Sequence, residues 1–438
     1  MNELRVMTLS VLCMLLAACM ENTGGSGIHA AHHDGHFAVV STNYTGATTI
    51  SLLGEDGAVV DAEWIGSKTE NPDLRSPLAD DVVLPTLSFS RRYLTTIERG
   101  LGVVTRLDLD DGTVLGQVRT DDSPESDMAA YHSNPQDVYY VSEESAWVSR
   151  WADNPEAEVP AAERGTDLIE LDPSVMKRTE RRIDLSDLSV EIEEDQFDEN
   201  FMPIGTVQST AYASPAALVG AGNFLVVGLV RITAAYNYAP GMVAIVDPVA
   251  GKFTDSVELK GLTNCGDVRE VVDEPSQVLV QCLGAWGDAG AASGIVKIAV
   301  DAKGKGEILE TFRVTDHEDA VNTQSSLVSL GGNLVVAAAA GALDPTTQEI
   351  VETDRLYSVD LKTGKQVELW KSVGAFSLGI PAFDPKTGVL LVPDAGSDEA
   401  PIYGVHRFIV DADMNIDDDG FVQVAPKTTL AAREVRRL

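Results

Sequence analysis

Apolar positions in this chain come in short runs, often alternating with polar ones, and the runs are bounded by Gly, Pro, Asn or Asp. A period of two over a few residues is the mark of a strand. Beyond the first twenty residues no long segment sustains the 3.6-residue spacing of an amphipathic helix. The pattern predicts an all-β protein.

One unit recurs. A strand ends in an apolar residue followed by Asp, a short turn often carrying Gly comes next, and a second strand follows. The cases are 104–115 (Asp108, Gly112), 168–177 (Asp172), 243–253 (Asp247, Gly251), 296–304 (Asp301, Gly304), 356–367 (Asp360, Gly364) and 408–413 (Asp411). A variant at 50–60 has Gly54 and Gly57 and no Asp at the anchor position. Asp suits such a turn because its side chain accepts from the turn's own N–H groups, and Gly supplies positive φ. The seven anchors, at 54, 108, 172, 247, 301, 360 and 411, are spaced by 54, 64, 75, 54, 59 and 51 residues. A second signal precedes several of these hairpins: a turn leading into a strongly apolar strand, as at Gly222-Asn223, Glu274-Pro275, Gly332-Asn333 and Asp384-Pro385. Two hairpins per repeat make a four-stranded antiparallel unit. Seven such units predict a seven-bladed β-propeller, in which each sheet has two apolar faces and neighbours must stack. Two β-sandwiches side by side are the alternative.

The period and the Asp-x-x-x-Gly hairpins resemble the YVTN and quinoprotein-dehydrogenase-like propellers of bacterial extracytoplasmic proteins. The long spacings place loop insertions at 144–165 and 186–205, and a further insertion, at 68–81, follows the first hairpin. Loops on a rigid scaffold are where binding usually sits.

The first residues carry an address. Arg5 precedes a 13-residue run, 6–18, in which Thr8 and Ser10 are the polar positions. About 20 apolar residues are needed to cross a bilayer, so the run fits a signal-peptide core instead. Leu16-Ala17-Ala18-Cys19 closes it and resembles the lipobox of bacterial lipoproteins. That resemblance implies that Cys19 becomes the lipid-modified first residue of the mature protein, and Met20 points to the outer membrane. An ordinary signal peptide with a chance Cys is the competing reading. The expected organisation is a leader at 1–18, a tether at 19–27, a propeller at 28–426 and a C-terminal tail at 427–438.

Charge narrows the partners. The chain has 438 residues, 68 acidic and 32 basic, for a formal charge of −36. Nucleic acid is disfavoured, since phosphate binding needs Lys and Arg. Anionic headgroups are disfavoured likewise, whereas acyl chains hold a membrane without a basic patch. The 44% of hydrophobic residues is a folding composition. Cys265 and Cys282 remain once Cys13 and Cys19 are set aside; on adjacent antiparallel strands they would form a disulfide, and two buried thiols are the alternative.

Candidate chemistry is sparse. His29, His32, His33 and His36 crowd into eight residues; such density suits a transition metal, unless Asp34-Gly35 is only the turn into a strand. Asn415, Asp417 and Asp419 resemble the front half of a calcium loop, but Gln423 and Pro426 stand where the closing ligands belong. An acidic turn explains them equally well. The acidic stretch 191–199 reads as a solvated loop that could hold a hard cation. His132, Asn264, Asp316 and His317 precede expected inner strands, which places them at one mouth of a propeller channel. No nucleophile elbow, metalloprotease motif or nucleotide loop occurs. The reading is a lipid-anchored binding or scaffold module at the cell envelope, with a protein, glycan or metal complex as ligand and calcium or a transition metal as the candidate cofactor. A propeller enzyme of lactonase or quinone-dependent dehydrogenase type and a metal-handling protein using the histidines are the alternatives. The anchor is directly testable: palmitate labelling of the expressed protein should be lost in Cys19→Ala, with release from the membrane fraction. Labelling that survives the substitution would remove Cys19 as the lipid site.

Overall fold

The Asp-bearing turns form as the repeat predicts. N–H groups of Asp110, Ser174, Val249, Lys303, Lys362 and Asp413 donate to Oδ1 of Asp108, Asp172, Asp247, Asp301, Asp360 and Asp411, all at 2.8–3.0 Å. In the first hairpin Asp56 does the same for Ala58, at 2.9 Å. Each turn joins the third and fourth strands of an antiparallel sheet, and seven such sheets form the blades of a β-propeller. The structure is a computed structural model. It describes residues 35–438 apart from 45, 68, 70–73, 75–77, 79–80, 91, 122–130, 156–162, 198–202, 286–290, 318–325, 345, 398–399 and 426–429.

The inner strands of blades 2 to 7 are Val82–Val83, Pro135–Ser142, the second half of Pro203–Ala221, Asp267–Glu270, Ser326–Gly331 and Ala382–Asp384. Blade 1 is built from both ends of the chain. Phe37–Thr42, Thr48–Leu53 and Val59–Gly66 are its outer three strands, and Ala432–Arg437 pairs with Phe37–Thr42 as the innermost. Residues expected as a tail therefore close the ring. Antiparallel pairing gives the molecule two faces: turns between first and second and between third and fourth strands lie on one, and the links between blades lie on the other.

Among the described residues the core divides into seven apolar clusters, one at each blade–blade contact. Valine is common in them because β-branched side chains suit a pleated surface packed on both faces. Blades 4 and 5 meet around the Cys265–Cys282 disulfide, which ties the lead-in of one inner strand to its neighbour within blade 5. Gly241 faces it from blade 4; a Cβ there would overlap Cys265 Sγ.

Two expected loops are strands. Ser145–Asp153 is the second strand of blade 3, and Trp147 from it is fully buried. Much of the acidic stretch lies in Val190–Phe197, which pairs with the first half of Pro203–Ala221 and gives blade 4 a fifth strand. Alternation explains the difference. Glu191 and Glu193 stay exposed and accept from Thr210 and Thr206 at 2.5 Å, while Glu194 turns inward to accept from Asn237 Nδ2 at 2.9 Å. A charge run with period-two burial is a one-sided strand. Leader, tether, Cys19, His29, His32, His33 and most of 68–81 lie outside the described residues.

The seam between blades 7 and 1 carries a polar latch. Asp384 Oδ2 lies 2.9 Å from His36 Nε2 and also accepts from Thr387 Oγ1 at 2.9 Å. Burial would raise this carboxyl, but the Lys386 N–H, the Thr387 hydroxyl and His36 outweigh it and hold it below the ordinary range. A carboxyl whose folded pKa is depressed contributes stability above its unfolded value, near 3.9, and that contribution is lost as pH falls through the folded value. Asp384→Asn should therefore lower unfolding stability by about 1–3 kcal/mol at pH 7. Urea denaturation should show the gap to wild type narrowing below about pH 4; a gap that does not change with pH would mean that the carboxylate charge is not what holds the seam.

Candidate functional site

Inner strands converge on the channel, and their polar side chains first serve the backbone. Asp137 in blade 3 accepts from Thr86 N–H (2.9 Å) in the blade 2 turn and from Leu218 N–H (2.8 Å) in blade 4. Glu434 in blade 1 accepts from Leu84 N–H at 3.2 Å, and Ser329 in blade 6 accepts from Val272 N–H at 3.2 Å. Each is a staple between neighbouring inner strands, supplying partners to N–H groups that no ladder reaches. Burial pushes the Asp137 carboxyl up, opposed by Thr86 and the Leu218 N–H.

A second set of side chains has more donors than the fold consumes. A cavity of about 250 Å³ lies among the inner strands and is bounded by blades 1, 2, 5, 6 and 7. Arg269, Arg436 and Arg437 all line it. Arg269 is buried, and its Nη2 lies 2.7 Å from Asp267 Oδ1, while Nε and Nη1 have no hydrogen-bond partner. Burial pushes its pKa down, Asp267 opposes this, and the like charge of Arg436 adds to the depression. Arg436 Nε sits 2.6 Å from Glu434 Oε1 in an ionic contact without hydrogen-bond geometry, so neither atom has a directed partner. Arg437 reaches across the channel to Glu270 of blade 5, Nη2 to Oε1 3.1 Å, with Nη1 3.7 Å from Asp384.

A guanidinium carries five N–H donors in a planar fork. One carboxylate per arginine balances charge and leaves donors over. Desolvated charge is costly unless paired and hydrogen-bonded, so surplus donors facing a cavity are a place for an anionic acceptor. The remaining lining is Glu270, Thr86, Ser88 and Ser329 with Leu87, Leu327, Phe383 and other apolar side chains. That mixture of apolar walls and convergent polar groups suits a small, charged molecule.

None of the positions expected at a channel mouth lines this cavity. His132 packs beside Arg119, Nδ1 to Nη2 3.4 Å, at the entry to blade 3. Asn264 adopts positive φ (56°), and its carbonyl accepts from Leu283 N–H at 3.0 Å next to the disulfide. Asp316 is exposed; His317 stacks on Phe312 at 5.1 Å and abuts Gly364 in the outer turn of blade 6, far from the axis. Both were carried outward because the fourth strand of a twisted blade ends at the rim before the chain returns.

The metal candidates also resolve locally. Among the described residues, His36, Glu55 and Asp384 form a group whose ligand atoms lie within 4.8 Å of one another. Cations already serve it: Lys386 Nζ lies 2.7 Å from Glu55 and Arg437 lies near Asp384. The group is a charge-balanced seam. Asn415, Asp417 and Asp419 do not converge either. Asn415 Nδ2 donates to Asp411 at 2.8 Å within the turn, and the two aspartates lie on Ile416–Gln423, the outer strand of blade 7. Asp419 pairs there with Arg407 at 2.7 Å. A strand spreads alternate oxygens along a line, where a calcium loop would wrap them around a centre.

Sequence reasoning missed Arg269, Arg436 and Arg437. The available signal was Arg433-Glu434-Val435-Arg436-Arg437, four charges in five residues around a β-branched apolar residue, in a chain poor in basic residues. Placing it in a tail hid it.

No protein-family model and no curated protein matches the chain. Solved structures match in fold. One from Bacteroides fragilis, provisionally assigned as a 6-phosphogluconolactonase, aligns with a TM-score of 0.51 at 10% identity, over 94% of this chain and 99% of its own. Another from Sulfolobus tokodaii, provisionally assigned as selenium-binding, aligns with a TM-score of 0.51 at 12% identity, over 95% of this chain and 94% of its own. At such identities the likeness is one of architecture, and the architecture shared with this chain is the β-propeller.

Proposed function

We propose that this chain is a propeller binding module of the cell envelope, held by a lipid on Cys19, that seats a small anionic molecule in the channel cavity. The observation that carries the reading is the convergence of Arg269, Arg436 and Arg437 on one cavity of about 250 Å³, in a chain with 68 acidic and 32 basic residues. A space of that size suits a small metabolite. The acidic exterior repels anions at long range, so recognition depends on short-range guanidinium hydrogen bonds. Binding is the reading the lining favours: three guanidinium groups converge there, and Glu270 is engaged by Arg437. The support for the envelope address is the apolar run and the Leu16–Cys19 sequence.

The test is calorimetric titration of the full mature chain with small carboxylates and phosphates. Wild type should bind one class. Arg437→Gln should weaken binding about 10- to 150-fold, the equivalent of one charge-assisted hydrogen bond of about 1.5–3 kcal/mol. Failure of every anion to bind, or unchanged affinity in Arg437→Gln and Arg436→Gln alike, would remove the reading.

A further inference from the structure

The charged cavity does not end at the arginines. A second, narrow cavity abuts it, sharing Leu87, Ser88, Arg436 and Leu438 as common lining. Its walls are otherwise carbon: Leu84, Phe89, Tyr93, Leu94 and Tyr140 among them. The polar parts of these walls are engaged elsewhere. Tyr140 Oη and Thr95 Oγ1 are 2.6 Å apart, and the Arg106 guanidinium covers the Tyr93 ring at 3.6 Å. Phe89 stacks on Tyr140 with ring centroids 5.0 Å apart and 17° between planes, forming the outer wall. What faces the slot is therefore apolar, and Arg436 stands at the junction with the charged cavity.

Size sets the class of occupant. The slot leaves about 20 Å³, room for one or two methylene groups and too little for a ring. A small apolar cavity of this kind stays dry, so filling it displaces no well-bonded water. Resting on the binding reading above, we infer that the ligand is a short aliphatic acid: its carboxylate lies on the arginines and its first methylenes enter the slot between Leu87, Leu94 and Leu438. The arrangement makes the slot a selector for an unbranched chain next to the acid group, and it excludes aromatic acids and fully hydroxylated sugar acids, whose hydroxyls would find no partner there.

A chain-length series tests this on the full mature protein, with calorimetric titration of acetate, propionate, butyrate, pentanoate and benzoate. Affinity should rise about fourfold for each of the first one or two methylenes, from about 0.8 kcal/mol per CH₂, and then level off. Benzoate should gain nothing over acetate. Leu87→Phe, at a half-buried position, should fill the slot and abolish the rise with chain length. Phe89→Ala, on the exposed outer wall, should open it and admit benzoate. Affinity that is flat with chain length, while still sensitive to Arg437→Gln, would overturn the slot and leave the arginine site standing. No binding by any acid, together with none by phosphate, would overturn both.

Discussion

A blade with two apolar faces is stable only between two neighbours, and an open row of blades leaves two faces uncovered. The pairing of Ala432–Arg437 with Phe37–Thr42 removes that difficulty. It makes blade 1 from both chain ends, so the seventh cluster, around Phe37, Val39, Leu391 and Val435, forms only when the ring is shut. The same pairing covers the inner edge of Phe37–Thr42, which would otherwise offer its backbone groups to another chain. The same strand brings Glu434, Arg436 and Arg437 to the axis. Ring closure and the candidate site are thus products of one pairing.

The interior balances its charge locally. Each channel arginine has a carboxylate within reach: Asp267 for Arg269, Glu434 for Arg436, Glu270 for Arg437. Buried pairs of this kind add little net stability because desolvation offsets attraction. Their effect is on position. Glu434 is held by Leu84 N–H, and Asp267 and Glu270 bound the short inner strand of blade 5. The guanidinium groups are therefore fixed by strands and staples, which is the preorganisation a binding site needs. The body's formal charge of −36 serves solubility on the outside and does not describe the channel.

The face that carries the links between blades is organised differently. Tyr44, Asn134, Tyr236, Asn264 and Phe376 all adopt positive φ in its turns and links. Tyr236 is 75% exposed and Tyr44 50%. Bulky residues in the left-handed region carry strain that a turn must repay with hydrogen bonds. For Tyr44 one such bond is visible: its N–H donates to Thr42 Oγ1 at 3.0 Å.

Local chemistry settled what sequence alone could show. Strand periodicity and Asp-capped turns are short-range properties, readable wherever Asp and Gly fall a few residues apart, and they pointed to an all-β chain of seven hairpins; the structure decides for the propeller over two sandwiches. The Cys265–Cys282 disulfide was one of two readings the sequence left open, and the structure decides it. Tertiary structure decided everything that depends on where distant strands meet. It turned 432–437 from a tail into an inner strand and recast Val190–Phe197 as a one-sided strand. It sent His317 to the rim and brought Arg269 beside Arg436 across 167 residues of chain. Charge and polarity report which residues can do chemistry, but a propeller assigns the axis by ring closure and blade twist, and no window of sequence contains either.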